Sequence, residues 1–471
     1  MTILTSGGTY GNGYGYQALV VLSNHITGLD LGVFQTYLGT LLIVWTVFVA
    51  WLFYREITQS NLATGLAMFI LLAQPELLFA LLRGTHEKFS RGLMFLCLYL
   101  LVRSILARRQ LRLFVSFLLA FYLAGYALIS FNNLLAISFI AALALALALS
   151  LFIRQLNRAR PDNNSATRRR LLYAVLILLV LAFIFTFYAY PPARKGIVIA
   201  ESATDRLALL FLDVEEATEN PYQTISTSWI SLPVYLLVSI ANWLLLAISF
   251  MLWSAQSHSW WRCHTWPDEP RDLLLWSLYG SFGFLGALSI AVDVSGAMSA
   301  RNIQHRVFPS FAMIAAPVVA NWVVRRQEFR PVARRLVYGM LVAGIALLSL
   351  VALAKSSNEP LLSNKWSFYS PNEFKAVDWT LTTNPNAPTW ISYDERLRAA
   401  IHNCCPWEVE ETLLDAWRPE PGTRNYLMSN VIRARAKRSN LSLPIEGDSL
   451  RVYDNGSAEI YRLRPRTPFQ K

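Results

Sequence analysis

The sequence predicts an α-helical polytopic membrane protein of about ten spans, followed by a small C-terminal α/β domain. Three observations predict it. Apolar runs of 18 or more residues recur along the first three quarters of the 471-residue chain, and each is long enough to cross ~30 Å of hydrocarbon. The composition is 54% hydrophobic and 15% charged, against about 25% charged in ordinary soluble domains. At Lys355 the character changes: charges, turn formers and short period-2 segments replace the long runs. Disorder, a disulfide framework and a fibrous repeat are excluded by the same composition.

In chain order, residues 1–32 form an outer tail and 33–355 the membrane domain. Its spans lie near 33–53, 62–82, 92–107, 112–130, 133–153, 171–190, 229–251, 273–296, 309–324 and 336–354. The third and ninth are short, about 16 residues each, which implies tilt or a locally thin bilayer. Pro75 interrupts the second, because a proline frees a carbonyl that its neighbours must satisfy. Gly280, Gly283 and Gly286 mark close helix packing.

Residues 356–471 form the α/β domain. Ser370-Pro371-Asn372-Glu373 reads as a helix start, with Pro in the first turn and Phe374, Val377 and Trp379 following. Short strands are expected at Thr389–Ser392 and Tyr426–Ser429. Asp454-Asn455-Gly456, between Leu450 and Val452 on one side and Ile460 and Leu463 on the other, signals a terminal hairpin. No Gly-rich phosphate loop or catalytic triad spacing occurs there.

The net charge of +12 resolves by loop. Alternate loops at 54–61, 103–112, 154–170, 252–272 and 325–335 carry 18 Lys/Arg and six acids, headed by Arg108-Arg109, Arg168-Arg169-Arg170 and Arg334-Arg335. These loops account for the whole excess, so by the positive-inside rule they are expected in the cytoplasm. A nucleic-acid partner has no basic surface left to use. The tail, the loops 83–91, 191–228 and 297–308, and the C-terminal domain are then expected outside a plasma membrane crossed many times. The tail has no Lys or Arg before Arg55 and no signal-peptide pattern.

The loop 191–228 carries Glu201, Asp205, Asp213, Glu215, Glu216 and Glu219. Leu207, Leu210, Phe211 and Val214 fall at helical spacing within it, the pattern of a helix lying on the interface. Cys97, Cys263 and the adjacent Cys404 and Cys405 have no metal-ligand spacing. No cofactor is identified; a divalent metal is an open alternative that the spacing does not support, and a metal or donor site made by the acids of 191–228 is the second reading of that loop.

Ionisable residues in or beside spans are functional candidates because burying them is expensive. Glu76 follows Pro75. Arg83-Gly84-Thr85-His86-Glu87-Lys88 makes a tight outer turn, with Arg91 just after. Asp293 lies near the end of the eighth span, and Arg301, His305 and Arg306 precede the ninth. All are expected on the outer side. Transfer of a sugar from a lipid phosphate needs cations for the departing phosphate and a carboxylate or His to take the acceptor proton. Glu87 with His86 could be the base; Arg306, Arg301, Arg83 and His305 could hold phosphate, since the guanidinium fork is planar and always charged.

Arg83-Gly84-Thr85-His86-Glu87, the late Asn302-Ile303-Gln304-His305-Arg306-Val307-Phe308-Pro309, and Ser370-Pro371-Asn372-Glu373 with Ala376 and Trp379 resemble the GT-C superfamily. Its members are multi-span glycosyltransferases that use polyprenyl-phosphate sugars. Gly13-Tyr14-Gly15-Tyr16-Gln17 through Thr27-Gly28-Leu29-Asp30 resembles the end of that superfamily's first outer loop. The resemblance implies a GT-C-like fold and sugar transfer from a polyprenyl-phosphate donor at the outer face, to an acceptor glycan, lipid or protein. The superfamily usually opens with one span and then an acidic motif that carries catalysis. This sequence has no Asp or Glu before Asp30, so a late start or a fragment is expected, with Asp30 the substitute acid if its helix start opens to the cavity. A non-catalytic scaffold or degenerate member is the next reading. A surface-polysaccharide polymerase or ligase, and a transporter, follow.

Overall fold

A computed structural model describes residues 13–28, 39–82, 87–107, 110–156, 164–194, 232–263, 267, 269–294, 303–325, 331–357, 371–383, 389–390, 425–430, 433 and 449–463. The chain divides into two compact units. The larger comprises Thr9–Pro221 and Leu236–Ser356, and the smaller centres on Ser357–Lys471.

The larger unit is a helix bundle. Its elements are α1 (Gly15–Thr27), α2 (Gly39–Thr58), α3 (Asn61–Leu72), α4 (Pro75–Leu82), α5 (Glu87–Leu106), α6 (Leu111–Phe131), α7 (Asn133–Leu156), α8 (Ser165–Ile184), α9 (Leu232–Cys263), α10 (Pro270–Val294), α11 (Ile303–Arg325) and α12 (Pro331–Ser357). Each apolar run is largely helix where it is described, the second with a break at Ala73-Gln74. Among the described residues, seven stretches are long and apolar enough to cross a membrane: α5, α6, α7, α8 with the π-turn Phe185–Ala189, and the apolar parts of α9, α10 and α11. Peripheral helices turn large apolar side chains outward, among them Leu123 and Val180, as a lipid-facing surface requires.

Two helices differ from their expected lengths. The third and ninth runs belong to α5 and α11, of 20 and 23 residues, so neither needs a thin bilayer. Hydropathy stops at Lys88 and Arg91, but the helix continues and buries both. The second run is two helices, as Pro75 requires. Ser60 caps α3 by accepting from the Ala63 N–H at 3.3 Å. The helix ends at Leu72, and Pro75 starts α4 at the position where a missing N–H costs nothing.

Tight packing uses the expected glycines. A Cβ on Gly280 would sit 2.8 Å from Leu149 of α7, and Gly283 and Gly286 face Phe311 of α11. In α11, Pro317 has no N–H to offer the Met313 carbonyl four residues back. Tyr54 of α2 supplies the replacement: its hydroxyl donates to Met313 O at 2.8 Å, with both residues fully buried.

The smaller unit contains α13 (Pro371–Thr383) and a four-stranded sheet of order β1-β2-β4-β3, from β1 (Thr389–Trp390), β2 (Asn425–Ser429), β3 (Ser449–Asp454) and β4 (Ala458–Leu463). β1 and β2 are parallel and the other pairs antiparallel. Pro371 occupies the first position of α13, and Ala376 and Val377 pack with Leu427, Ala458 and Ile460. The β3–β4 hairpin turns through Asn455-Gly456, Gly456 having φ +82°. The register shifts between Arg451 and Tyr453. This bulge turns Tyr453 onto Trp379, with ring centroids 5.1 Å apart, and leaves Leu450 and Val452 exposed. The expected apolar face of that strand is therefore displaced. The helix expected around Leu207–Val214 and the Cys404-Cys405 pair lie outside the described residues.

Candidate functional site

One end of the bundle gathers ionisable groups where the membrane makes them costly. α5 starts there with Glu87 in its first turn, a position that suits a carboxylate because the helix N-terminus carries positive potential. Lys88, Ser90 and Arg91 follow, all buried. Arg91 is 2% exposed. Its Nη1 donates to Ser310 Oγ of α11 and lies 3.9 Å from Met94 Sδ. Glu87, one turn earlier, lies near enough for the two charges to interact, which is the favourable i, i+4 arrangement.

α4, which carries Glu76, packs against both α5 and α11. Glu76 is 2% exposed and sits in the first turn of α4. Beside it Gln74, fully buried in the break before Pro75, donates to Ile70 O at 3.0 Å, while its Oε1 has no partner among the described residues. The Gly13–Tyr16 segment lies against this end too. The Tyr16 and Phe89 rings are 5.6 Å apart, and Tyr14 stacks on Phe185 at 5.7 Å. Gly13 has φ +141°, and a Cβ there would strike the Ser130 carbonyl, so glycine is required for this approach.

The structure thus joins the start of α5 to α11 through Arg91 and Ser310, and His305 and Arg306 lie in the first turn of α11. Asp293 lies in the last turn of α10. The side chains of Asp293, His305 and Arg306, and the whole of Asp30, Arg83, His86 and Arg301, lie outside what is described. Arg91 and Ser310 meet at this end, although hydropathy gives the first no prominence and no sequence motif includes the second. The available signals were the Glu87–Arg91 spacing and a serine next to Pro309. Among the described residues no three His, Cys, Asp or Glu side chains converge as a metal site would require.

No family model and no curated protein matches this sequence. Solved structures do resemble it. The archaeal oligosaccharyltransferase AglB from Archaeoglobus fulgidus, in complex with an inhibitory peptide and a dolichol-phosphate, superposes with a TM-score of 0.51 at 12% identity, over 98% of this chain and 67% of that one. The likeness to that oligosaccharyltransferase is one of fold. Two further structures of the Archaeoglobus fulgidus oligosaccharyltransferase give a TM-score of 0.49 each. The apo form is 12% identical over 91% of this chain and 63% of that one. The form tethered through a disulfide to an acceptor peptide with the NVT sequon is 13% identical over 97% and 66%. This chain therefore spans about two thirds of the length of those proteins. At such identity the chemistry must be argued from the site itself.

Proposed function

We propose that this protein is a membrane glycosyltransferase of GT-C type that transfers a sugar from a polyprenyl-phosphate donor at the outer face of the membrane. The observation that supports the reading is the hydrogen bond from buried Arg91 of α5, one turn after Glu87, to Ser310 of α11, one turn after Arg306 in that helix. The dolichol-phosphate in the complex of similar fold supports a lipid-phosphate donor here.

In this reading the acceptor is a glycan, a lipid or a protein, and its hydroxyl or amide nitrogen attacks the anomeric carbon as the sugar–phosphate bond breaks. Glu87 and His86 accept the acceptor's proton. Arg306, Arg301, Arg83 and His305 stabilise the negative charge gathering on the departing polyprenyl phosphate. Arg91, anchored on Ser310, is a positioning residue that fixes Glu87 from one turn below. The basic loops lie in the cytoplasm and the C-terminal unit outside, in a multi-pass plasma-membrane protein.

The test uses membranes containing the full chain and a panel of radiolabelled polyprenyl-phosphate sugars, with transfer to endogenous acceptor measured. Glu87→Gln and Arg306→Ala should each abolish transfer at unchanged expression. Undiminished transfer by both variants would refute the site assignment. Absence of transfer by the wild type across the panel would favour a non-catalytic scaffold.

A further inference from the structure

At the opposite end of the bundle, a second cluster of charge lines a cavity of about 460 Å³. Glu56, near the end of α2, receives Arg103 Nη1 from α5 on Oε2 at 3.1 Å and Arg271 Nη2 from α10 on Oε1 at 3.1 Å. One carboxylate thus holds two guanidinium groups, and the cluster carries a net charge of +1.

The two arginines are not equivalent. Arg271 is a staple. Its Nε also donates to the Glu56 carbonyl at 3.0 Å, and the Gln59 side-chain oxygen, turned toward it, accepts from the same guanidinium. Gln59 adopts φ +58° to do so, a left-handed conformation rare for a residue with a side chain. Arg103 is different. Its guanidinium lies 5.1 Å over the Phe117 ring and its side chain is 38% exposed. Of its five N–H donors, one is engaged among the described residues, on Glu56. The side chain lines a cavity whose remaining walls include Gln110, Leu113 and Phe117. Leu113 and its neighbour Leu111 are exposed at 43% and 75%, so an apolar, bilayer-facing wall adjoins the cationic cap. Exposed Arg112 lies beside them in the chain.

We propose that this cavity is a binding site for the headgroup of an anionic phospholipid, with Arg103 on the phosphodiester and Leu113 and Phe117 against the first acyl carbons. Two features favour a lipid over a free anion. Glu56, Arg103 and Arg271 together leave one positive charge for a phosphodiester, and the apolar wall would be wasted on an inorganic ion. Basic pockets between helices at the positively charged end of a membrane protein attract such headgroups in general. The site is separate from the cluster around Arg91, which lies about 18 Å away along α5 at 1.5 Å rise per residue.

The test uses the full chain in neutral detergent micelles, with native mass spectrometry counting retained dioleoylphosphatidylglycerol or dioleoylphosphatidylcholine added in equal amounts. Phosphatidylglycerol should be retained at least tenfold better, and Arg103→Gln should remove most of that preference while Arg112→Gln keeps it. Gln110→Asp is the second variant. It replaces an N-cap residue that makes no capping bond with a good capping residue, so the fold should be kept while the added negative charge expels the lipid. Equal retention of the two lipids would overturn the proposal. So would full preference in both Arg103→Gln and Gln110→Asp, or a thermal stabilisation by millimolar inorganic phosphate as large as that by phosphatidylglycerol.

Discussion

Tyr54→Phe removes one oxygen from the centre of the bundle and should destabilise it out of proportion to its size. The ring contacts survive, because Phe keeps the edge-on packing against Phe95 at 5.8 Å and the tilted contact with Phe53 at 5.6 Å. The lost group is the donor to Met313 O, 2.8 Å away across 259 residues of sequence. That carbonyl has no helical partner, since position 317 is proline, and Met313 is 0% exposed, so water cannot replace the donor. Stranding a buried acceptor costs roughly 1–3 kcal/mol in proteins generally, whereas hydrogen bonds between membrane helices average about 0.6 and reach about 1.7 kcal/mol. With the helical alternative removed, the upper part of the membrane range applies. A cost of ~1–1.7 kcal/mol is roughly a five- to eighteenfold change in the unfolding constant. The assay is equilibrium unfolding in mixed micelles of increasing sodium dodecyl sulfate, run as a double-mutant cycle with Pro317→Ala. Alanine at 317 restores an N–H to the Met313 carbonyl, so Tyr54→Phe should cost well under half as much in that background. An equal cost in both backgrounds would show that the tyrosine hydroxyl does not serve the carbonyl freed by proline, and the argument would fail.

Three further outcomes are expected. Ser310→Ala takes the acceptor from buried Arg91 and should lower stability by ~1–2 kcal/mol, since hydrogen bonds to charged groups are among the stronger ones; in an Arg91→Met background the same change should be nearly silent. Gly92→Ala should cost ~1–3 kcal/mol by overpacking, because its Cβ would lie 2.7 Å from Thr46 Oγ1 and nearer still to the Trp45 ring. Gly65→Ala, with nothing within 4 Å of its Cβ, should be neutral or stabilising by up to ~1 kcal/mol from helix propensity; equal losses at both glycines would refute the packing argument. In the smaller unit, Asn455→Ala removes acceptance from the Ser457 and Ala458 N–H groups at 3.1 and 3.0 Å and donation to Asn372 O at 2.6 Å, and should raise amide exchange throughout the β3–β4 hairpin.

What the sequence made legible follows from what the membrane enforces. A span must be a long apolar helix, so the runs were readable and their helices are found where they are described. The edges were less readable, for a specific reason. Hydropathy treats a charge as an end, but Arg91 is carried inside because Ser310 and Glu87 meet it there, and those partners come from distant sequence or from a turn read as loop. The hairpin at Asn455-Gly456 was legible from local turn chemistry. Which face of β3 packs inward was not, since the bulge at Arg451–Tyr453 answers to Trp379 on a separate element. The Tyr54–Met313 bond is the extreme case. The proline announces an orphan carbonyl, and nothing local says which side chain will come to it.

The two arginines near the ends of α5 show how far composition can separate function. Arg91 and Arg103 share one helix and, in a charge count, one role. Their surroundings divide them. Arg91 is enclosed, with a serine acceptor and an acid one turn away, which is how a bundle holds a cation in place. Arg103 is tied by a single bond to a carboxylate it shares with Arg271, is 38% exposed, and borders a cavity with an apolar, outward-facing wall, which is how a bundle offers a cation to something arriving from the bilayer. The positive charge that fixes the orientation of such a chain therefore need not be idle once insertion is complete. Where an acid gathers arginines at a helix end beside exposed leucines, the same charge becomes a ligand site, and removing Arg103 should leave the topology intact while removing the lipid.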